Sequence, residues 1–357
     1  MTGTDEVATE VRASPTTVRQ ALHPGTWVIW LVGVAIALTT TRNPWYLALV
    51  LLLVALVLKV CSPPAGEASR DPVISPWRFG LIVVATSTLF NVLMVHVGDT
   101  VLFNLPAWLP LIGGPLTLEA AVYGALNGLV LAGIFAAFAV FNRTVPVRAA
   151  LRLAPRAYYP VAVVMSIAVT FVPATQQQFQ QIREAQAVRG LRMNTMRSWL
   201  PLVVPLLEGS LERSFQLAEA MMARGFASAE ENVNRRPQVL LLAGLGSWLA
   251  GWLLRLVWRQ PLLGDLLLIA GTGALGLGLW LAGRQHPHTV YRPTPWHWQD
   301  GVVIAGAALV GAIYLFPLPG IDRSSLFYYP YPALTWPAAS ALIVAGTLGL
   351  GAPAVVR

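Results

Sequence analysis

Two short segments in the middle of the chain share one pattern of residues. Glu184–Gly190 reads E-A-Q-A-V-R-G, and Glu219–Gly225 reads E-A-M-M-A-R-G, 35 residues later. Each copy therefore carries the same arginine-glycine pair. A guanidinium forms bidentate, charge-assisted hydrogen bonds with anionic groups and tolerates partial burial. The repeat thus provides two equivalent cationic groups, Arg189 and Arg224.

Helical patterns precede both copies. Before the second copy, apolar residues recur at helical spacing and polar residues form a separate stripe; the apolar set is Leu211, Phe215, Ala218 and Met222, and the polar set is Glu208, Glu212, Gln216 and Glu219. Glycine suits the left-handed residue that ends a helix, and arginine is favoured in the last turn. We therefore expect each arginine at an exposed helix tip. A single Arg-Gly pair is a common signal for the C-terminal end of a helix. Two matched copies instead favour a shared function.

Most of the remaining sequence is apolar. The chain of 357 residues is 56% hydrophobic and 11% charged, whereas a soluble domain carries roughly 25% charged residues. Several uncharged runs reach the ~18 residues that a membrane-spanning helix needs. Spans are predicted at about 27–40, 44–60, 79–97, 120–142, 238–254, 262–282, 301–316 and 333–350. The predicted fold class is all-α, a polytopic transmembrane helical bundle.

Basic residues lie mostly between the apolar runs. This distribution explains the net charge of +8, because cytoplasmic loops of membrane proteins are rich in arginine. A nucleic acid partner is not needed to account for the charge. Arg12 and Arg19 place the N-terminus in the cytosol, with residues 1–22 as a disordered tail. The loop 98–119 contains acids but no Lys or Arg, which predicts an outside location.

Residues 143–236 differ from the segments on either side. They hold 12 of the 24 basic residues, and their two apolar stretches, 158–174 and 199–207, are short and interrupted by proline. We predict long cytosolic or interfacial helices here. The expected organisation is a tail (1–22), four spans (23–142), this basic segment (143–236) and C-terminal spans (237–357).

Other sequence motifs give only weak evidence for a functional site. Gly271–Gly276 matches G-x-G-x-x-G but lies inside an apolar run with no preceding strand, so no dinucleotide site is predicted. His286, His288 and His297 lack a cluster of cysteines or acids, so no metal or cofactor is expected. A membrane-embedded enzyme is an alternative, but its polar groups would have to come from scattered acids, namely Asp99, Glu119, Asp265 and Asp300.

The motifs resemble the transmembrane T component of energy-coupling factor (ECF) transporters, the CbiQ/EcfT family. Such proteins have a bundle of spanning helices and long cytosolic coupling helices that end in Ala-Arg-Gly or Ala-Arg-Ser motifs. Ala223-Arg224-Gly225 matches outright, and Val188-Arg189-Gly190 differs at its first residue. The segment Leu200–Leu207 between them is also similar.

The resemblance extends towards the N-terminus. His23–Thr26 and Asn43-Pro44 look like the family's opening hairpin, and Gly114–Thr117 is similar to the segment before the fourth span. About residues 20–258 are covered. The rest of the chain exceeds the usual family length, and the resemblance implies no role for it.

The resemblance implies a non-catalytic coupling subunit of an importer for vitamins or metal ions in the cell membrane. Its partners would be two ABC ATPases and a membrane S component that binds the substrate. Arg189 and Arg224 would each insert into a groove on one ATPase, supported by Glu184, Glu219, Met222 and Phe226. Because no phosphate-binding loop is present, ATP hydrolysis would come from the partners. The permease subunit of another ABC transporter is an alternative, although it would be expected to have one coupling segment rather than paired tips.

Overall fold

The protein is described by a computed structural model covering residues 22–61, 75–106, 113–154, 158–190, 199–225, 235–285 and 295–356. Contacts divide the chain into two units, residues 1–146 with 293–357, and residues 147–292. The sequence division differs, because residues 237–292 group with the basic segment rather than with the last helices.

The first unit contains helices from both ends of the chain and one short β-hairpin. Its elements are α1 (Pro24–Thr40), α2 (Pro44–Cys61), α3 (Pro76–Met94), β1 (Val101–Asn104), β2 (Pro115–Thr117), α4 (Leu118–Thr144), α10 (Trp298–Leu315), α11 (Ala341–Thr347) and α12 (Ala352–Val356). The second unit contains α5 (Val147–Leu151), α6 (Tyr159–Val188), α7 (Leu200–Ala223), α8 (Arg236–Leu256) and α9 (Pro261–Gln285).

Six described helices are long and apolar enough to cross a membrane: α2, α3, α4, α8, α9 and α10. They correspond to six of the predicted spans, and α1 is a shorter apolar helix of 17 residues. The long helices α6 and α7 are not among the six. The prediction of an all-α polytopic membrane protein is confirmed.

Local sequence accounts for several helix starts. Proline occupies the first turn of α1 and α3, where no backbone N–H is lost from the helix. The side chain of His23 accepts a hydrogen bond from Gly25 N at 3.0 Å, and that of Thr117 accepts one from Ala120 N at 3.4 Å. Both side chains thereby satisfy a backbone donor that the helix leaves unpaired.

The core of the first unit joins its N-terminal and C-terminal helices. Trp30 is fully buried in α1, and its indole N–H donates to the carbonyl of Leu350 at 2.8 Å. Gly306 in α10 packs so closely on Gly349 that an added methyl group would lie 2.5 Å from the Gly349 carbonyl oxygen. The last helices therefore belong to the same core as α1 and α2.

The last predicted span, at 333–350, differs in its bounds, because the apolar helical segment in this region runs from Ala341 to Val356. Helix α11 begins only at Ala341, and a 3-10 turn at Leu348–Gly351 separates it from α12. Residues 327–340 are not helical. Three prolines in this stretch disfavour a helix. Its backbone instead forms hydrogen bonds with side chains near the start of α2: Asn43 Nδ2 donates to the Ala338 carbonyl at 2.7 Å, and Ser340 N donates to the Tyr46 hydroxyl at 2.7 Å.

A second difference lies in the loop 98–119, which contains the antiparallel hairpin β1–β2. Thr100 N donates to Glu119 Oε1 at 3.1 Å, and Leu118 N donates to the Thr100 carbonyl at 3.0 Å. These bonds fix the base of the hairpin to the start of α4. Strands this short are difficult to distinguish from a loop by periodicity alone.

In the second unit, α8 and α9 form a tight helical hairpin. An added methyl group on Gly251 would lie 2.9 Å from the Gly264 carbonyl oxygen, and one on Gly244 would lie 2.9 Å from Leu275 N. Such small residues let two helix backbones approach closely. Near the turn of the hairpin, Arg255 forms an ion pair with Asp265.

Candidate functional site

The two arginine-glycine pairs lie where the long helices α6 and α7 end. Arg189 follows the last helical residue of α6, and Arg224 follows the last helical residue of α7. Gly190 and Gly225 adopt left-handed conformations, with φ of +82° and +78°. The glycine conformation predicted from the sequence is thus present at both positions, and it ends each helix abruptly.

The motif residues are exposed at both tips. The members of this set are Val188, Arg189, Gly190, Ala223, Arg224 and Gly225. Val188 is 90% exposed. Neither Arg189 nor Arg224 is ion-paired to a residue that the structure describes. Both tips therefore present a charged group beside an uncovered surface.

The predicted supporting residues are exposed as well. Glu184 and Glu219 lie on the surface of α6 and α7, and Met222 is 59% exposed. Phe226 lies outside the described residues. Neither glutamate is paired with its neighbouring arginine among the described ion pairs. Both guanidinium groups can therefore donate hydrogen bonds to an anionic group of another molecule.

Helices α6 and α7 approach each other away from their tips. Gly209 of α7 faces the side-chain amide of Gln178, which occupies the space of an added methyl group. Near this point, the rings of Phe179 and Trp199 stack with centroids 6.5 Å apart. Arg189 follows Gln178 by 11 residues and Arg224 follows Gly209 by 15. At the helical rise, each tip lies roughly 16–22 Å along its helix from this contact.

Sequence reasoning missed this contact between the helices. The only signal was a glycine in the interior of a predicted helix, which often has a packing reason. A glycine at a contact point lets the partner helix approach closely. The contact joins the two helices that carry the tips.

A groove of about 870 Å³ runs beside the contact. Its lining combines apolar and polar side chains, contributed by Ala168, Phe171, Val172, Thr175, Gln176, Phe179, Gln180, Arg183 and Leu206. The apolar members form a surface on which an apolar segment of another protein could pack. In the described part of the second unit, the groove and the two tips thus offer exposed surface for binding partners.

Three of the four acids considered for enzyme chemistry, Glu119, Asp265 and Asp300, have structural partners. Asp300 is fully buried, and its carboxylate accepts hydrogen bonds from His23 N at 2.8 Å, Thr26 Oγ1 at 2.7 Å and His297 N at 2.9 Å. Glu119 holds the base of the β-hairpin. In the described ranges, no three His, Cys, Asp or Glu side chains lie close enough together to hold a metal ion.

The fold and its exposed helix tips define a polytopic helical membrane protein with two long helices that end in matched cationic motifs. A family model described as CbiQ, cobalt transport protein, matches residues 15–234. The chain belongs to this family. The match covers α1–α7, so the helices from α8 onwards lie beyond it.

Individual relatives support the same assignment. A protein of Leuconostoc gelidum is 36% identical over 81 residues, 21% of this chain and 30% of that protein, and one of Exiguobacterium sibiricum is 29% identical over 103 residues, 25% and 39% of the two chains. A longer match, to a protein of Lacticaseibacillus paracasei, is 26% identical over 216 residues, 59% of this chain and 70% of the relative. All three are named energy-coupling factor transporter transmembrane protein EcfT. The chain spans only about a third of the length of the first two relatives.

Proposed function

We propose that the protein is the coupling subunit of an ECF-type importer in the cell membrane. It would transmit the ATP-driven motion of two ATPases to a substrate-binding membrane subunit. The paired tips carry this proposal, because two equivalent cationic anchors suit two copies of one kind of partner. The relatives' names, which place them in energy-coupling factor transporters, support it.

Arg189 and Arg224 would each bind carboxylates in a groove of one ATPase. A planar guanidinium can form two parallel hydrogen bonds with a carboxylate and keeps its charge when partly buried. Val188 and Met222 lie beside these arginines and are exposed, so they would pack against the walls of the ATPase groove. Met is adaptable in such a contact because its side chain is flexible and polarizable.

The substrate-binding S component would pack on the apolar residues of the groove between α6 and α7. The contact at Gln178 and Gly209 links both tips to this surface. When the two ATPases move relative to each other, the two helices would change their crossing, and the groove would move with them. The S component would select the substrate, a vitamin or a metal ion, and the chain itself would be non-catalytic.

This proposal gives the basic segment 143–236 a cytosolic or interfacial place and puts the N-terminus in the cytosol. Arginine-rich loops favour the cytoplasmic side. The ATPases are cytosolic proteins, so the tips must lie on that side to be bound. Beyond this segment, α8 and α9 belong to the second unit, and in the first unit α10–α12 secure α1 and α2 by the contacts described above.

Substitution of the tip arginines tests the proposal. We expect Arg189→Ala with Arg224→Ala to weaken ATPase co-purification severely and to abolish substrate uptake, because removing one member of a buried ion pair costs on the order of 3–5 kcal/mol. Each single change should leave partial assembly. Lysine should rescue poorly, because an ammonium cannot form the bidentate pair.

Arg213→Ala is the matched control. Arg213 lies in α7 and carries the same charge as Arg224, but it is outside the repeat. Its loss should have only a surface effect of ~0–1 kcal/mol. Equal sensitivity of Arg213 and Arg224, at equal membrane expression, would mean that general basicity rather than the paired tips binds the ATPases.

A further inference from the structure

The β-hairpin between α3 and α4 has an uncovered apolar surface. All four residues of β1 are exposed, and the large apolar ones are Val101 (47%), Leu102 (59%) and Phe103 (63%). Successive residues of a strand point to opposite faces. With four consecutive exposed residues, neither face of β1 is covered by the described part of the chain.

The hairpin is held firmly at its base and is therefore a built feature of the first unit. At the base, the Thr117 hydroxyl donates to the Val97 carbonyl at 2.9 Å in addition to the bonds of Thr100, and at the far end of the strands Leu105 N donates to the Gly114 carbonyl at 3.0 Å. The register has a bulge between Val101 and Phe103. Bulges twist a strand locally and re-aim its side chains.

The hairpin continues a surface that faces the membrane. It follows α3, a span with no buried residue, on which Leu89, Phe90 and Met94 are exposed near the end that leads to the hairpin. Only six residues separate Met94 from Val101. At this distance the hairpin lies where the span meets the bilayer boundary.

The absence of charged residues indicates that the hairpin lies in lipid rather than in water. Residues 100–118 contain no Asp, Glu, Lys or Arg, and the nearest charged side chains, Asp99 and Glu119, flank the base. A strand of this length reaches roughly 13 Å from its base. Aromatic and aliphatic side chains at the end of a span, without charges, are the composition found at membrane interfaces.

We propose that the β1–β2 hairpin inserts into the lipid at this end of α3 and α4, with both faces of β1 in contact with phospholipid and β2 packed on the protein side. A protein partner docking on the hairpin would cover one face and leave the other in water. Lipid can surround the strand and therefore covers the three consecutive apolar residues Val101, Leu102 and Phe103 on both faces of β1. The hairpin then anchors the α3–α4 end of the first unit at a fixed depth.

Site-directed spin labelling tests this insertion. Leu102→Cys and Phe103→Cys, each in a Cys61→Ser background, are labelled with a nitroxide in the full chain, together with any co-purified partners, in nanodiscs of phosphatidylcholine and phosphatidylglycerol. Collision with oxygen, which concentrates in lipid, is compared with collision with a water-soluble nickel chelate. Both labels should show an oxygen-to-nickel ratio severalfold above that of Ser324→Cys, which is exposed on a polar turn, and close to that of Leu81→Cys on α3.

Two results would overturn the proposal. A nickel accessibility equal to that at Ser324→Cys would place the hairpin in water. Low accessibility to both reagents would show that a protein partner covers it. Bimane on the same cysteines gives a second measurement, since brominated phospholipid but not iodide should quench it if the hairpin is in lipid.

Discussion

At the scale of single residues, Asp300 connects the two ends of the chain. Its carboxylate accepts from the backbone of His23 and the hydroxyl of Thr26, which lie at the start of α1, and from the backbone of His297, which precedes α10. The His23 ring also stacks on Trp296 with centroids 4.0 Å apart. One buried acid therefore caps α10 and fastens α1 to it.

Asp300→Ala should destabilise the protein, because three donors would lose their acceptor. Each hydrogen bond to a charged group contributes about 1.5–3 kcal/mol, so the loss should exceed that of one such bond. Asp300→Asn keeps one acceptor oxygen and should be intermediate. The measurement is the thermal unfolding midpoint of the purified chain in detergent.

Asp322 provides the control for this acid. It is exposed, and its carboxylate accepts from Ser324 N at 2.9 Å, a hydrogen bond that holds the pKa of the Asp322 carboxyl below its ordinary value. It therefore stays ionised at neutral pH and caps a short turn. Asp322→Ala should change the midpoint much less than Asp300→Ala, and an equal change would contradict the role assigned to Asp300.

The glycine at each tip has a conformational role that can be measured separately from the arginine. Alanine at φ near +80° costs about 1–2 kcal/mol, although the space around Gly190 is open. Gly190→Ala should therefore weaken ATPase co-purification less than Arg189→Ala, and Gly190→Asn should be closer to wild type. Gly273→Ala, with equally open space but a helical backbone, should leave co-purification unchanged.

At the scale of elements, the α8–α9 hairpin depends on glycines that face the partner backbone. Gly251→Ala places a methyl group 2.9 Å from the Gly264 carbonyl oxygen and 3.0 Å from Leu268 N, so the helices must separate. Overpacking of this kind typically costs 1–3 kcal/mol. We expect faster proteolysis of the α8–α9 region in detergent.

Gly246→Ala is the matched substitution in the same helix. Nothing lies within 4 Å of the added methyl group, and alanine is a better helix former than glycine. This variant should resist proteolysis as well as or better than the wild type. Equal sensitivity of the two variants would show that the contact with α9 is not what stabilises α8.

At the scale of the whole molecule, the contacts of the first unit agree with the predicted sides of its loops. His23, which follows the tail predicted in the cytosol, is hydrogen-bonded to Asp300 at the start of α10. At the opposite ends, Asn43 Nδ2 donates to the Ser325 carbonyl at 2.7 Å. The backbone of Asp99 likewise donates to the carbonyl of Pro332 at 3.0 Å. The relative sidedness is therefore consistent, and the absolute orientation stays a prediction.

Labelling of single cysteines in intact cells tests that orientation. In a Cys61→Ser background, Gln177→Cys on the exposed side of α6 should resist an impermeant thiol reagent, because the arginine-rich segment is costly to translocate. Asp322→Cys, on the opposite side, should react. Reaction at Gln177→Cys in intact cells, with Asp322→Cys protected, would reverse the topology.

The sequence by itself determined the features that depend on neighbouring residues. Long uncharged runs fix the spans, since no charged or unpaired polar group can be placed in lipid without cost. Arg-Gly at the end of a helical pattern fixes the two tips, because glycine alone adopts the left-handed conformation without strain. Both signals are local. Six of the predicted spans are present as long apolar helices, and Gly190 and Gly225 adopt the left-handed conformation, while the ATPase-binding role of the tips stays a proposal.

Only the tertiary structure decided which distant residues meet. Asp300 binds His23 across 277 positions, Gln178 meets Gly209, and Arg255 pairs with Asp265. The non-helical course of residues 327–340 likewise depends on Asn43 and Tyr46, which lie almost 300 residues earlier. Such contacts leave no periodic trace in the sequence, because their partners are selected by how whole helices pack and not by the residues beside them.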